Sequence, residues 1–261
     1  MFLIETEENV GFLTAAYVKN KIKTFIPSES KPFFILALPT GGTSIDLYKY
    51  LVQFYKKGSL NFDKVVTFNL DEYVGLPVTH PESYHSFMAR NLFDHIQIKK
   101  EQINSLNGNT ENLEKECQDY EQKIKNLGGI DLFLGGVGEN GHIAFNEPGS
   151  AFDSKTRIIN LTENTIKANS RFFNGDINLV PKRALTIGLG TIMQSKEIII
   201  MATGPKKANA VYHAFEDKPN TKYPITILQK HPRSFIVTDK AAAAELSSRT
   251  KKDFGFCSFI K

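Results

Sequence analysis

Five short apolar runs recur along the chain, and helical spacing fills the intervals between them. Residues 33–38 (FFILAL), 65–68 (VVTF), 130–134 (IDLFL), 198–202 (IIIMA) and 234–238 (SFIVT) are too short for helices and too continuously apolar for strands with one wet face. That pattern predicts strands covered on both sides, as in a parallel sheet. Between them, Val10, Leu13, Ala16, Tyr17 and Ile22 set the period of a helix over 8–25, which Pro27 and Pro32 end. Further helices are predicted over 44–57, over 82–95 with Pro81 at its first turn, and over 110–127 closed by Gly128-Gly129. Two more run to Phe215 and over 239–247, the latter with Asp239 as its cap. Asn107-Gly108-Asn109 reads as a turn, 156–161 as a strand, and 184–187 as a strand or a helix. The polar segment 162–183, with Arg171, Gly175 and Pro181, reads as short helices able to move as a lid. Strand and helix alternate without repeats or linkers. The expected fold is therefore α/β, a doubly wound and mostly parallel sheet in one domain over 1–261.

Composition narrows the function. With 41% apolar and 23% charged residues the chain is an ordinary globular one. The net charge of +4 is spread over doublets such as Lys99-Lys100 and Lys206-Lys207 rather than a basic stripe, which argues against nucleic acid and suits a small anion. No run reaches the roughly 18–20 apolar residues that span a bilayer. Acids precede the first apolar stretch, unlike a signal peptide. Cys117 and Cys257 lack metal-type or CxxC spacing and read as free thiols of a reducing, cytoplasmic protein.

The candidate chemistry gathers at strand ends. Pro39-Thr40-Gly41-Gly42-Thr43 lies between a strand and a helix. It is either an anion site built from backbone N–H groups and threonine hydroxyls, or a plain turn with a threonine cap. Asp71-Glu72 follows the strand 65–68 and offers either a general base or a helix cap. Residues 134–148 (LGGVGENGHIAFNEP) follow the strand 130–134 and set His142 among glycines near Glu147, a pairing suited to proton transfer. Its GxGxxG spacing does not indicate a dinucleotide, because Pro148 and Gly149 leave no room for the required helix. His142 and Glu147 also lack a metal-ligand relation, so no metal is expected. Arg171 with Lys206 and Lys207 could grip a phosphate from two sides, though single lysines are by default solvated.

Several of these segments together resemble glucosamine-6-phosphate deaminases. They are PTGGT at 39–43, FNLDEYVGL at 68–76, HPESYHSFM at 80–88, LNGN at 106–109, GGVGENGHIAFNEPGS at 135–150, SRFF at 170–173 and VPKRALTIGLGT at 180–191. 6-Phosphogluconolactonases and ribose-5-phosphate isomerases, relatives by fold, lack this set. The resemblance implies a modified Rossmann-like α/β/α sandwich with a small helical lid. It implies conversion of D-glucosamine 6-phosphate and water to D-fructose 6-phosphate and ammonia in amino-sugar catabolism, without cofactor or metal. By position, Asp71 would carry the proton between C2 and C1. His142 would open the sugar ring, oriented by Glu147. Asn140, an aspartate in some members, would hold His142 by hydrogen bonding while Glu147 carries more of the assembly. Phosphate would lie among Thr40, Gly41, Gly42, Thr43, Arg171 and Lys207. Allosteric members bind N-acetylglucosamine 6-phosphate at a subunit interface. Ser150 and Arg157 would be remnants of that site, since Ile159 replaces its lysine and Asp253 its tyrosine. Weak or absent activation is expected, and family members range from monomers to homo-oligomers. Some bacterial regulators join this fold to a DNA-binding module. Here the chain is expected to start directly with the first helix of the fold, which leaves no place for one.

Overall fold

Side chains of the central strands alternate between two separate cores, and this alternation creates the three layers. In the computed structural model, which describes residues 1–255, Phe34, Leu36 and Leu38 of one strand belong to the same core as Val18, Leu47 and Leu51, while Ile35 and Ala37 between them belong to a second core with Tyr120, Ile124, Val211 and Ala214. The strands are β1 (Phe2–Glu5), β2 (Phe34–Leu38), β3 (Val65–Asn69), β4 (Asp71–Tyr73), β5 (Ile103–Asn104), β6 (Leu132–Gly136), β7 (Arg157–Asn160), β8 (Arg183–Thr186), β9 (Glu197–Ala202) and β10 (Ser234–Thr238). The helices are α1 (Val10–Thr24), α2 (Ser44–Lys56), α3 (Tyr84–Asn91), α4 (Leu113–Asn126), α5 (Glu163–Asn169), α6 (Leu189–Ile192), α7 (Ala208–Glu216) and α8 (Ser248–Phe254). Seven strands pair in the order β1-β10-β9-β6-β2-β3-β5, every pair parallel. Helices α1 and α2 cover one face and α4 and α7 the other, which is the α/β/α sandwich expected. Among the described residues no helix is long and apolar enough to cross a membrane.

A second, antiparallel sheet of order β4-β8-β7 positions the site. The chain leaves the parallel sheet at Asn69, bends at Leu70 and enters the small sheet at Asp71, opposite Thr186. Asp71 is thereby fixed by pairing at the carboxyl edge of β3. A third apolar cluster of Tyr73, Leu76, Phe145, Leu161, Phe173, Val180 and Ala184 joins this sheet to the segment 162–183.

Some expectations are corrected. The chain opens with β1, an edge strand beside β10, before its first helix. The helix expected over 82–95 is α3 plus a 3-10 turn at Phe93–His95, divided at Leu92; its cap is Ser83, which accepts from the Ser86 N–H, rather than Pro81. The helix expected over 239–247 is a turn. Asp239 accepts from the Ala242 N–H, but its other oxygen is taken by the Gly204 N–H, and a segment this short does not sustain a helix on alanine propensity alone. The helix there is α8, capped by Ser247. Residues 184–187, which read as a strand or a helix, fall on strand β8 and the residue after it. Cys117 is a buried free thiol, and Cys257 lies outside the described residues.

Candidate active site

The carboxyl ends of β2, β3, β6 and β9 surround a cavity of about 530 Å³. Thr40, Gly41, Gly42, Thr43, Asp71, Asn140, His142, Arg171 and Lys207 all line it. Glu147 stands directly behind Asn140, and Ser150 and Arg157 lie outside the lining.

The turn from β2 to α2 presents backbone to the cavity. Gly41 takes φ +94°, in the region that favours glycine, and nothing lies within 4 Å of where a Cβ would project at Gly41 or Gly42. Thr43 begins α2 without a capping hydrogen bond from its side chain, so its hydroxyl is free for another partner. At the opposite rim, the Lys207 ammonium is lowered from its ordinary value, chiefly by burial and then by the nearby Arg171 and Lys206 charges against the pull of Glu139. Crowded cations of this kind gain from an anion placed between them.

The structure divides the two acids of residues 71–72. Glu72 serves α3 alongside its Ser83 cap: Oε1 accepts from the Tyr73 and Tyr84 N–H groups at 2.9 and 3.0 Å, and Oε2 accepts from the His85 N–H at 2.9 Å, in the first turn of the helix. Asp71 faces the cavity instead. Burial, reinforced by the neighbouring Glu72 charge, pushes its carboxyl up to about 8, so it holds its proton near neutrality and becomes a strong base when ionised.

His142, Asn140 and Glu147 form a directed relay. Glu147 as a carboxylate can only accept, so the 2.7 Å contact to its Oε2 comes from the Asn140 Nδ2 amide hydrogens. That turns the Asn140 Oδ1 toward His142, where it accepts from Nδ1 at 2.7 Å and from the backbone N–H at 3.3 Å. The His142 proton is thus assigned to Nδ1, and Nε2 is the ring nitrogen left for a ligand. The direct His142 Nδ1–Glu147 Oε2 separation of 3.6 Å is too long for a hydrogen bond. Asn140 therefore bridges the pair, a role that sequence spacing alone did not assign. Burial would raise the Glu147 carboxyl, but His142, Thr165 and Asn140 together outweigh it and hold it at about 2.

Backbone geometry fixes this loop. Residues 137–151 are turns, not the helix that a dinucleotide site would need. Gly141 takes φ +80° and Ala144 φ +52°, and the Gly138 N–H donates to the His142 carbonyl at 2.9 Å. A Cβ at Gly138 would lie 2.1–2.4 Å from the His142 ring. Gly138→Ala is expected to displace the imidazole and to lower kcat roughly a hundredfold, the scale of an ångström-level misplacement. Unchanged turnover in that variant would show that the ring position does not matter.

Several residues of the site were not singled out from sequence. Thr165 and Asn169 of α5 line the cavity, as do Tyr73 and Tyr84. The Tyr73 hydroxyl accepts from Asn169 Nδ2 at 2.8 Å and from the Tyr84 hydroxyl at 3.4 Å, and Tyr84 stacks on Phe145. The one-turn spacing of Thr165 and Asn169 was the available signal, since it puts both on one face of a helix.

Proton donors and acceptors collected at the carboxyl edge of a doubly wound parallel sheet are those of an α/β enzyme. The chain belongs to the glucosamine-6-phosphate isomerase/6-phosphogluconolactonase family, whose profile matches residues 5–237. It is 55% identical over 249 residues to a glucosamine-6-phosphate deaminase of Borreliella afzelii, covering 95% of this chain and 92% of that one. It is 53% identical over 247 residues to the deaminase of Pasteurella multocida, with 95% and 92% covered. Among solved structures, a monomeric glucosamine-6-phosphate deaminase matches with a TM-score of 0.86 at 38% identity, over 94% of this chain and 99% of that one. A 6-phosphogluconolactonase of Thermotoga maritima matches with a TM-score of 0.72 at 18% identity, over 92% and 99%, and shares the fold alone.

Proposed function

We propose that this protein catalyses the isomerising deamination of D-glucosamine 6-phosphate, with water, to D-fructose 6-phosphate and ammonia, in amino-sugar catabolism. Residues 1–261 act as one sugar-phosphate deaminase/isomerase domain with a lid over 162–183. The observation that carries this reading is that Asp71 and the His142 relay face one cavity whose rim bears Arg171 and Lys207. In this reading the substrate phosphate lies among the backbone at 41–43, the hydroxyls of Thr40 and Thr43, Arg171 and Lys207. His142 Nε2 takes the proton of the C1 hydroxyl and passes it to the ring oxygen as the C1–ring-oxygen bond breaks, and the sugar opens. Asp71 then takes the proton from C2 and returns it to C1, which converts the amino aldose into an imine at C2. Water adds there and ammonia departs. A lactonase would need no base that carries a proton between adjacent carbons, and a sensor would need neither Asp71 nor the relay. The protein acts in the cytosol, a reading supported by the isolated free thiol of Cys117.

Incubation with glucosamine 6-phosphate, with ammonia and fructose 6-phosphate measured together, tests the assignment; formation of neither product refutes it. The same assay tests effector control. Arg157 donates to Asn146 Oδ1 at 2.8 Å and to Ser150 Oγ at 3.2 Å, Ile159 packs on the apolar cluster beneath the lid, and Asp253 lies beside Arg249 on the exposed face of α8. Rate curves are expected to be hyperbolic and unmoved by N-acetylglucosamine 6-phosphate. A sigmoidal curve that this compound straightens would show a working effector site.

A further inference from the structure

Helix α5 touches the relay through one side chain. Thr165 is buried on the inner face of α5, and its hydroxyl donates to Glu147 Oε1, the oxygen that Asn140 does not use. The direction of that bond is set three residues earlier in the chain. Thr162, the cap of α5, accepts from the Thr165 N–H at 3.3 Å, and its own hydroxyl donates to Thr165 Oγ1 at 3.1 Å. A hydroxyl has one proton to give, so Thr165, already accepting from Thr162, directs its proton to the carboxylate. Each Glu147 oxygen thus has its own donor, Asn140 from the catalytic loop and Thr165 from the lid.

The same short segment reaches the ligand end of the cavity. Asn169, one turn after Thr165, donates to the Tyr73 hydroxyl, and Arg171, two residues later, lines the cavity beside Lys207. An anion held by Arg171 would therefore also hold the helix that grips Glu147. We propose that Thr165 is a positioning residue, and that its hydroxyl makes the seating of α5 part of assembling the His142–Asn140–Glu147 relay. Without that donor the carboxylate is free to rotate about its last torsion. The Asn140 amide follows it, and the direction in which His142 presents Nε2 is no longer fixed. The kinetic half of this proposal rests on the deaminase reading above; the structural half does not.

Two measurements on wild type, Thr165→Val, Thr165→Ser and Asn169→Leu separate the possibilities. The first is the proton resonance of His142 Nδ1–H in the protein without substrate. It should shift or broaden in Thr165→Val, which keeps the shape and loses the hydroxyl, and return in Thr165→Ser. The second is steady-state turnover of glucosamine 6-phosphate. Thr165→Val should lower kcat roughly tenfold or more with KM within about threefold, and the serine variant should recover most of it. Asn169→Leu loosens the same helix from Tyr73 without touching Glu147, and should act mainly on KM. The proposal is overturned if the resonance stays in place in Thr165→Val, or if Thr165→Val and Asn169→Leu give the same KM-dominated pattern. If the resonance moves as expected while wild type releases no ammonia, the deaminase reading fails and the positioning role of Thr165 stands.

Discussion

Asp71→Asn is expected to abolish turnover while the protein still binds its phosphorylated ligand. The substitution keeps shape and removes only the ability to take a proton from carbon. Loss of a general base costs about 10²- to 10⁴-fold, and the affinity for a phosphorylated inhibitor should stay within about threefold. Near-normal ammonia release would move the base elsewhere. The wild-type pH profile follows from the environment of the same carboxyl. Burial, then Glu72, pushes it up to about 8, and the proposed base works only when ionised, so kcat/KM should climb with pH, reach half its limit near 8 and level off above that. A profile flat from pH 5 to 8 would contradict that. Stability should move the opposite way. The folded protein keeps the Asp71 proton up to about 8 whereas the unfolded chain loses it near 4, so between those values the folded state binds more protons and stability falls as pH rises. Asp71→Asn removes that penalty. The inactive variant should therefore be the more stable one above pH 8, by an amount on the order of a few kcal/mol, with the two proteins converging toward pH 4. Urea titrations across this range would measure the difference, and a variant no more stable than wild type at pH 8 would show that Asp71 is not strained by its burial.

The parts of the fold that were legible are those in which one residue's neighbours in sequence decide its state. The buried strands β2, β6, β9 and β10 are continuous apolar runs, and α1 and α4 carry their own period, caps and terminating glycines or prolines. The small antiparallel sheet was legible only in part: 156–161 read as a strand and 184–187 as a strand or a helix, but their pairing with a third strand did not show. Its strand β4 is three residues long and begins with two acids, and only pairing with Arg183–Thr186 makes it a strand. Strand β1 was hidden for the same reason, since its partner β10 lies more than two hundred residues away. The site shows the same division. Asp71, His142 and Glu147 could be named as candidates from their residue types and their places just after β3 and in the loop after β6, and the resemblance supplied their roles. Residue type did not divide the work between Asp71 and Glu72; only the resemblance pointed to Asp71, because what sets Glu72 aside is where the first turn of α3 points its amides. The order His142–Asn140–Glu147 was likewise hidden, because a seven-residue separation says nothing about which side chain lies between the other two. Thr165 was the least visible of all, as an ordinary threonine whose importance comes entirely from the fold.

Glu147→Gln is expected to lower kcat by about 10²- to 10⁴-fold, because the order of the relay makes the charge of this residue decide the tautomer of another. A carboxylate can only accept, and that fixes the Asn140 amide with Nδ2 toward Glu147 and Oδ1 toward His142. A glutamine can donate. Once its amide hydrogens face Asn140, the asparagine turns over and offers Nδ2 to the imidazole, which must then accept at Nδ1 and carry its proton on Nε2. The nitrogen facing the ligand would become a donor when it is needed as a base. No negative charge would remain to stabilise the imidazolium formed as protons move. Nitrogen-15 chemical shifts of His142 in wild type and variant measure the tautomer directly, and an unaltered Nδ1–H form in an inactive Glu147→Gln would shift the explanation to lost charge alone. A further consequence appears in acid. The Glu147 carboxyl is held at about 2, below its ordinary 4.5, so its stabilising contribution is complete above about 4.5 and is lost as pH falls toward 2. Glutamine titrates nowhere in that window, and the variant should lose less stability than wild type between pH 4.5 and 2. Parallel acid-unfolding curves for the two proteins would mean that Asn140 and Thr165 hold the neutral acid as firmly as the carboxylate, which would remove the reason for the relay's direction.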